Sequence, residues 1–599
     1  GVGSGSGSGS GSSNVNASGE ESARTGDNVN SNSNNKNNNN NNNKFNYLAE
    51  FSAKHDDRDD MPTTVDNPRF GVLAERTTTT LVPPPSEDFV PKIAELLLAN
   101  VNRLVEANPD KENVSPPRRR RLMGGEEAES VARTIVESME TKNRLFHSTK
   151  HLFHLLENFA VPVDPSLVLM VLFHDLIYHT VDGFFRDFQL ELLEGVLVFD
   201  GDENDVRNEN HHVRTNQTNT KPTQRTLSLP LTLSPRIAEE DPILGAVVAV
   251  YGLEAGKPLP RQGSNEFLSA VLATKILSEW LSVPDLLRVA AGIEATIPFR
   301  PVDADGSTAT DKLYRNLRDA CANLQATTNA NTNAIATMDE EWLDRTLELS
   351  VELSHADLSS LSTSDPFFCL ESTWSLLPES TPALLDQPDC PLAVYIDALG
   401  GLDGSNAFLL RAVPDMYPSF RGSPSRARVW ELEDRTRSNL ALGAVYSDAR
   451  LLQVRVLEDL AVVAGADPNV LPARDLLRIG ESTLLLASAS GAAAATDSKN
   501  HQRVQEEDSF VVSLLSGNRT EHPWDPARCP LGEALYRILG KHGIERALAV
   551  GREQRARGSS GRLLRILPQQ VVLGLATEAA PILGRDPSEL VEAALGSAA

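Results

Sequence analysis

The chain has 599 residues and a formal net charge of −26, with 82 acidic against 56 basic side chains, so its average surface repels phosphate backbones and anionic lipid headgroups and neither nucleic acid nor a membrane surface is expected as a general partner. Its four cysteines, Cys321, Cys369, Cys390 and Cys529, are scattered without a C-x-x-C pair, which argues against a disulfide framework or a zinc–thiolate site and for a reducing compartment.

Residues 1–88 begin with Gly-Ser repeats, pass into an almost pure Asn run and stay polar through Pro83-Pro84-Pro85. Too few apolar side chains are present to offset chain entropy, and a disordered tail is expected. Regular apolar spacing starts near Phe89 and Val90, and Ile93, Leu96, Leu97 and Val101 predict the first helix. The basic run Arg118-Arg119-Arg120-Arg121 follows Pro116-Pro117; it reads as a solvated linker or as a nuclear address. Leu152, Leu155, Leu156 and Phe159 predict another helix, and a further one holds Leu167 to Tyr178, with Asp164 as its cap and Pro165 at its first position. Asp200 to Arg225 and Gln325 to Ala336 are polar and read as surface insertions, which a packed scaffold tolerates at a closure cost that grows only logarithmically with length. Strand-like alternation is confined mainly to Leu227, Leu229, Leu231 and Leu233. Beyond Ser425 the chain is richer in Ala and Leu, with helices expected at Ser438 to Val462, Pro472 to Ala487 and Leu531 to Val550 and a polar break at Ser488 to Glu507. The expected fold is all-α: a tail over 1–88, a helical domain over 89–425 with polar insertions near 200–225 and 325–336, and a helical C-terminal region over 426–599. No run approaches the ~18 uninterrupted apolar residues of a membrane span. A cytoplasmic location is expected, with the nucleus as the alternative offered by Arg118 to Arg121; because the sequence opens on Gly1 rather than Met, an upstream targeting segment is left open.

Two segments carry chemistry. Phe146-His147-Ser148-Thr149-Lys150-His151-Leu152-Phe153-His154 spaces three imidazoles at i, i+4 and i+7, one face of a helix; such rings suit transition metals, and partly exposed helix histidines are the plain alternative. The stretch Leu167 to Tyr178 is apolar on every side until His174-Asp175. A helix of that composition is buried, and an ionised Asp within it needs a partner. An Arg or Lys is one solution. His174 is a poor partner, because adjacent helical residues point about 100° apart, and a cation shared between neighbouring helices is the other solution.

These residues resemble the HD superfamily of metal-dependent phosphohydrolases, whose pattern is a His, an adjacent His-Asp and a distant Asp. The resemblance implies His151, His174, Asp175 and Asp357 as metal ligands, the last within His355-Ala356-Asp357-Leu358-Ser359-Ser360. Phe146-His147 is similar to the Tyr-His of the class I cyclic-nucleotide phosphodiesterase branch, in which that His donates a proton to the leaving oxygen, and so implies His147 as general acid. Ile293 to Arg300 and Thr373 to Glu379 look like segments of uncharacterised HD-type proteins, and the likeness covers roughly Leu145 to Ser425. The long polar insertions and the lack of a second complete ligand set depart from the pattern. The implied architecture is an HD/phosphodiesterase-like helical bundle, and the implied cofactor is a divalent ion, zinc, manganese, iron or magnesium. The implied activity is hydrolysis of a small-molecule phosphate ester, a phosphomonoester or phosphodiester and among these a nucleotide, by a metal-activated water. His154, Glu294 and Arg300 are candidates for substrate or outer-sphere contacts: Arg because its fork grips phosphate, Glu because it could orient water. The competing expectation is a non-catalytic HD-like scaffold for ligand sensing or protein interaction.

Overall fold

The computed structural model describes residues 88–107, 121–198, 231–327, 338–386, 390–489, 501–556 and 562–596, all within one compact unit, Tyr47–Ala599. The expected tail up to residue 87, the insertion over 200–225, most of the insertion over 325–336 and Arg118 to Arg120 lie outside the described residues. The protein is all-α: among the described residues the sole sheet is a two-stranded antiparallel pair, Leu197–Val198 with Thr232–Leu233, so Leu233 of the strand-like alternation joins a short clasp, while Leu227 and Leu229 lie outside the described residues.

Local signals explain the helices around the site. The Val90–Ala107 helix buries Ile93, Leu97 and Val101. The Pro165–Phe173 helix starts as its sequence predicts, with the Asp164 side chain accepting the Ser166 N–H at 2.9 Å and Pro165 in the first turn. Eight of its nine residues are buried. Its neighbour Val283–Ala295 is capped by Ser282, which accepts from the Asp285 N–H at 3.1 Å. Gly292 lets these two helices approach closely, since a Cβ there would collide with the Met170 side chain. The Glu340–Asp357 helix, capped by Asp339, packs against both.

The predicted helix through Tyr178 stops instead at Phe173, because side chains claim the backbone groups that would continue it. Arg144 donates to the Asp175 carbonyl at 2.7 Å and Gln189 to the Leu176 carbonyl at 3.3 Å, while Ser269 Oγ accepts from the Ile177 N–H at 2.9 Å. Gln325 to Thr327, expected in a loop, complete the Ala309–Thr327 helix.

Apolar side chains gather in two large clusters. One runs from Phe89 to Ala356, joined by Phe420. The other begins at Leu370, so the Pro366–Ser380 and Leu392–Ala412 helices share a core with the C-terminal helices. In the C-terminal half, Arg426–Val463 runs 38 residues, the span predicted as one helix over 472–487 is Ala473–Leu477 plus Glu481–Ala489, and Pro530–Ala556 kinks at Gly540. A buried Asp525 anchors this core: its Oδ1 meets Tyr395 and Arg450, and its Oδ2 accepts from Trp374 Nε1 at 2.7 Å and lies 2.8 Å from Arg519. The four cysteines are free and buried. No described helix is long and apolar enough to cross a membrane.

Candidate metal centre

Three helix ends deliver the central residues. His151 lies in the first turn of the Thr149–Glu157 helix, whose opening Thr149 N–H is accepted by Glu140 Oε1 at 3.2 Å. His174 and Asp175 occupy the turn that closes Pro165–Phe173, where His174 Nδ1 bonds to the Val171 carbonyl at 2.9 Å, leaving Nε2 directed away from its own helix. Asp357 ends the Glu340–Asp357 helix. Ligand-type atoms of His151, His174 and Asp357 all lie within 4.8 Å of one another. His151 Nε2 is 3.2 Å from Asp357 Oδ1, His174 Nε2 is 3.6 Å from Asp357 Oδ1, and Asp175 Oδ2 is 3.0 Å from His174 Nε2 and 3.9 Å from His151 Nε2.

The short His174–Asp175 separation differs from the expectation that adjacent residues diverge, and the helix end is the reason. Near as they are, His174 Nε2 and Asp175 Oδ2 are both buried without a hydrogen-bond partner. Such orphaned atoms are costly, and two imidazole nitrogens with two carboxylates form a donor set that a divalent cation satisfies. The electrostatics agree. Burial by itself disfavours a charged His174, yet the adjacent Asp175 carboxylate raises its proton affinity well above that of free imidazole. Burial would likewise raise Asp175 and Asp357, but the imidazoles hold Asp175 well below the ordinary carboxylate range and Asp357 at about 2.

His147 precedes the helix that was expected to carry it, since that helix begins at Thr149. Its ring is nonetheless fixed. Nδ1 lies 2.6 Å from Glu379 Oε2, while Glu379 Oε1 accepts the backbone N–H groups of Phe146 at 2.7 Å and His147 at 2.9 Å. Tyr178 packs edge-on at 4.7 Å and the His151 ring lies 5.6 Å away. Burial pulls the His147 pKa down, but the carboxylates of Glu379 and Asp175 outweigh it and push it up to about 9.

His154 stands apart from the cluster. Its ring packs 4.8 Å from Phe368 and Nε2 is 3.5 Å from Ser359 Oγ, and burial lowers its pKa. Glu294 and Arg300 pair with each other, Arg300 engaging both Glu294 carboxylate oxygens. Arg300 also lines a cleft of about 270 Å³ shared with Ser354, Leu358, Tyr417 and Arg426, to which none of the four cluster residues contributes.

Sequence reasoning assigned no role to Glu379 or Arg144. Arg144 and Asp182 are 0% and 8% exposed; the guanidinium engages Asp182 through Nε at 3.2 Å and Nη2 at 2.6 Å, donates to the Asp175 carbonyl and lies 5.5 Å from the Tyr178 ring centroid. It thereby clamps the turn that presents the His-Asp doublet. Glu379, with a side chain 3% exposed, closes an apolar stretch, Trp374-Ser375-Leu376-Leu377-Pro378. A buried carboxylate in such a stretch is the same signal that singled out Asp175, but nothing in the sequence ties it to a histidine 232 residues away. Compared with family models, curated proteins and solved structures, the chain matches none.

Proposed function

We propose that this chain is an HD-type, divalent-metal-dependent phosphohydrolase acting on a small-molecule phosphate ester, a phosphomonoester or phosphodiester. One observation carries the reading: three helix ends bring together four ligand-type side chains, with ligand atoms of His151, His174 and Asp357 within 4.8 Å of one another and with His174 Nε2 and Asp175 Oδ2 buried without a hydrogen-bond partner. His151, His174, Asp175 and Asp357 would hold the ion. When bound, it would polarise a phosphoryl oxygen and lower the pKa of water. His147 supplies the other half of the chemistry. With Nδ1 held by Glu379, its Nε2–H is the proton available to a leaving oxygen, and a pKa of about 9 keeps the ring charged at neutral pH. Fixed in one orientation, such an acid contributes about 10²- to 10⁴-fold.

The test pairs elemental analysis after reconstitution with zinc, manganese, iron or magnesium and a panel of phosphate esters. The expected result is about one ion per chain and hydrolysis that disappears in His174→Ala and Asp357→Ala, with helix content retained by circular dichroism. A chain that retains no metal after careful reconstitution overturns the reading.

A further inference from the structure

Glu294 is expected to orient the attacking water, but both of its oxygens are engaged by Arg300, so the water requires another carboxylate. Glu266 meets the requirement. It lies in the first turn of the Ser264–Leu277 helix, and this is the helix that grips the chain just beyond the His-Asp doublet. Ser269 Oγ accepts from the Ile177 N–H at 2.9 Å, Ser264 Oγ meets His179 Nε2 at 3.0 Å, and Asn265 Nδ2 donates to Thr180 Oγ1 at 3.0 Å. Ser269 follows Glu266 by three residues, so the two share a helix face, and that face meets the segment leaving the doublet. Tyr251 helps fix the same turn by donating to the Glu266 carbonyl at 3.0 Å.

The Glu266 carboxylate has no ion pair and no side-chain hydrogen-bond partner among the described residues; its own backbone N–H alone serves it. Glu294, Glu379 and Asp182 are each committed to a named partner. Burial, together with the fields of Asp175 and Asp357 and against the opposing field of Arg300, pushes the Glu266 pKa up to about 7, the value that suits a proton acceptor at neutral pH.

We propose that Glu266 is the proton acceptor for the attacking water of this site. The inference rests on the hydrolase reading. As the water oxygen bonds to phosphorus and the bond from phosphorus to the leaving oxygen breaks, the water proton passes to the Glu266 carboxylate. The Nε2 proton of His147 passes to the leaving oxygen, and the two groups then recover their starting states by exchange with solvent.

The experiment compares wild type with Glu266→Gln, which keeps the shape, and Glu266→Ala, which opens space. For Glu266→Gln, wild-type metal content and thermal stability are expected, with kcat lower by about 10²- to 10⁴-fold and KM little changed. For Glu266→Ala, added formate or acetate should restore turnover, the stronger base more effectively, a response that a merely structural glutamate does not give. Wild-type kcat in Glu266→Gln overturns the inference and leaves the hydrolase reading standing, as does loss of the metal in that variant, which would make Glu266 a ligand. A wild-type protein that holds metal and cleaves no phosphate ester overturns both.

Discussion

Replacing Glu379 with Gln isolates the electrostatic half of the proposed chemistry. The His147 ring is held up to about 9; against the ordinary value near 6.5, that difference of about 2.5 pH units corresponds to roughly 3 kcal/mol in favour of the protonated ring. Among the charges responsible, Glu379 stands ahead of Asp175 and Asp357. A glutamine keeps one oxygen for the Phe146 and His147 N–H groups and turns an amide N–H toward Nδ1, so the loop stays in place while the neutral ring is favoured. Burial then dominates. The alkaline limb of kcat/KM should move down by about 2 pH units, to about 7, and activity at pH 7.5 should fall about 4-fold. The assay is a pH–rate profile of wild type and variant on one phosphate ester, with metal content checked in both. A cation beside His151 would draw both limbs downward, so the separation between the two profiles is the readout. Superimposable alkaline limbs would refute the reasoning, because Glu379 would then not be what keeps His147 charged.

Removing Arg144 as Arg144→Met leaves Asp182 buried without its partner and should cost about 3–5 kcal/mol, visible in chemical denaturation, along with weakened metal retention because the Asp175 carbonyl loses its donor. Asp525→Asn should destabilise by a similar amount, about 3–5 kcal/mol, since Arg450 and Arg519 lose their shared counter-ion; equal denaturation midpoints for variant and wild type would contradict that account. His179 is buried, lies beside Ser264 and has a pKa lowered by burial to about 4. The unfolded chain therefore takes up a proton that the fold excludes, so stability present above about pH 6.5 is lost as the pH falls toward 4, by up to roughly 3 kcal/mol. Denaturation midpoints across that range should fall less steeply in His179→Gln.

The helical character of the protein was legible because it depends on apolar spacing, and Ile93, Leu97 and Val101 are buried on the predicted face. The start of the helix bearing the doublet was legible too, since Asp164 and Pro165 act on neighbours in sequence. Its end was not. What stops it at Phe173 is a set of hydrogen bonds from Arg144, Gln189 and Ser269, contacts that exist only once distant segments have packed. The same distinction runs through the site. His174 and Asp175 stood out because charge in apolar surroundings needs explaining, His151 through the spacing of three imidazoles and Asp357 only through the family resemblance, and the fold brings the four together. Glu379 and Glu266 owe their significance to what faces them, which spacing along the chain does not encode. Glu294 and Arg300 satisfy one another across a single turn, an outcome as open to their sequence as a role toward a ligand.

The partition of the apolar clusters bears on how the two halves communicate. His147 lies just before the Thr149–Glu157 helix, which is seated in the first through Leu152 and Leu155, while the Pro366–Ser380 helix that carries Glu379 is seated in the second through Leu370, Trp374 and Leu377. A chain cut after residue 360 would keep all four residues of the proposed metal site and still lose the carboxylate that faces His147. Under the proposed chemistry the C-terminal half would act on the site through Glu379, and whatever strains or loosens its packing would be felt at the imidazole.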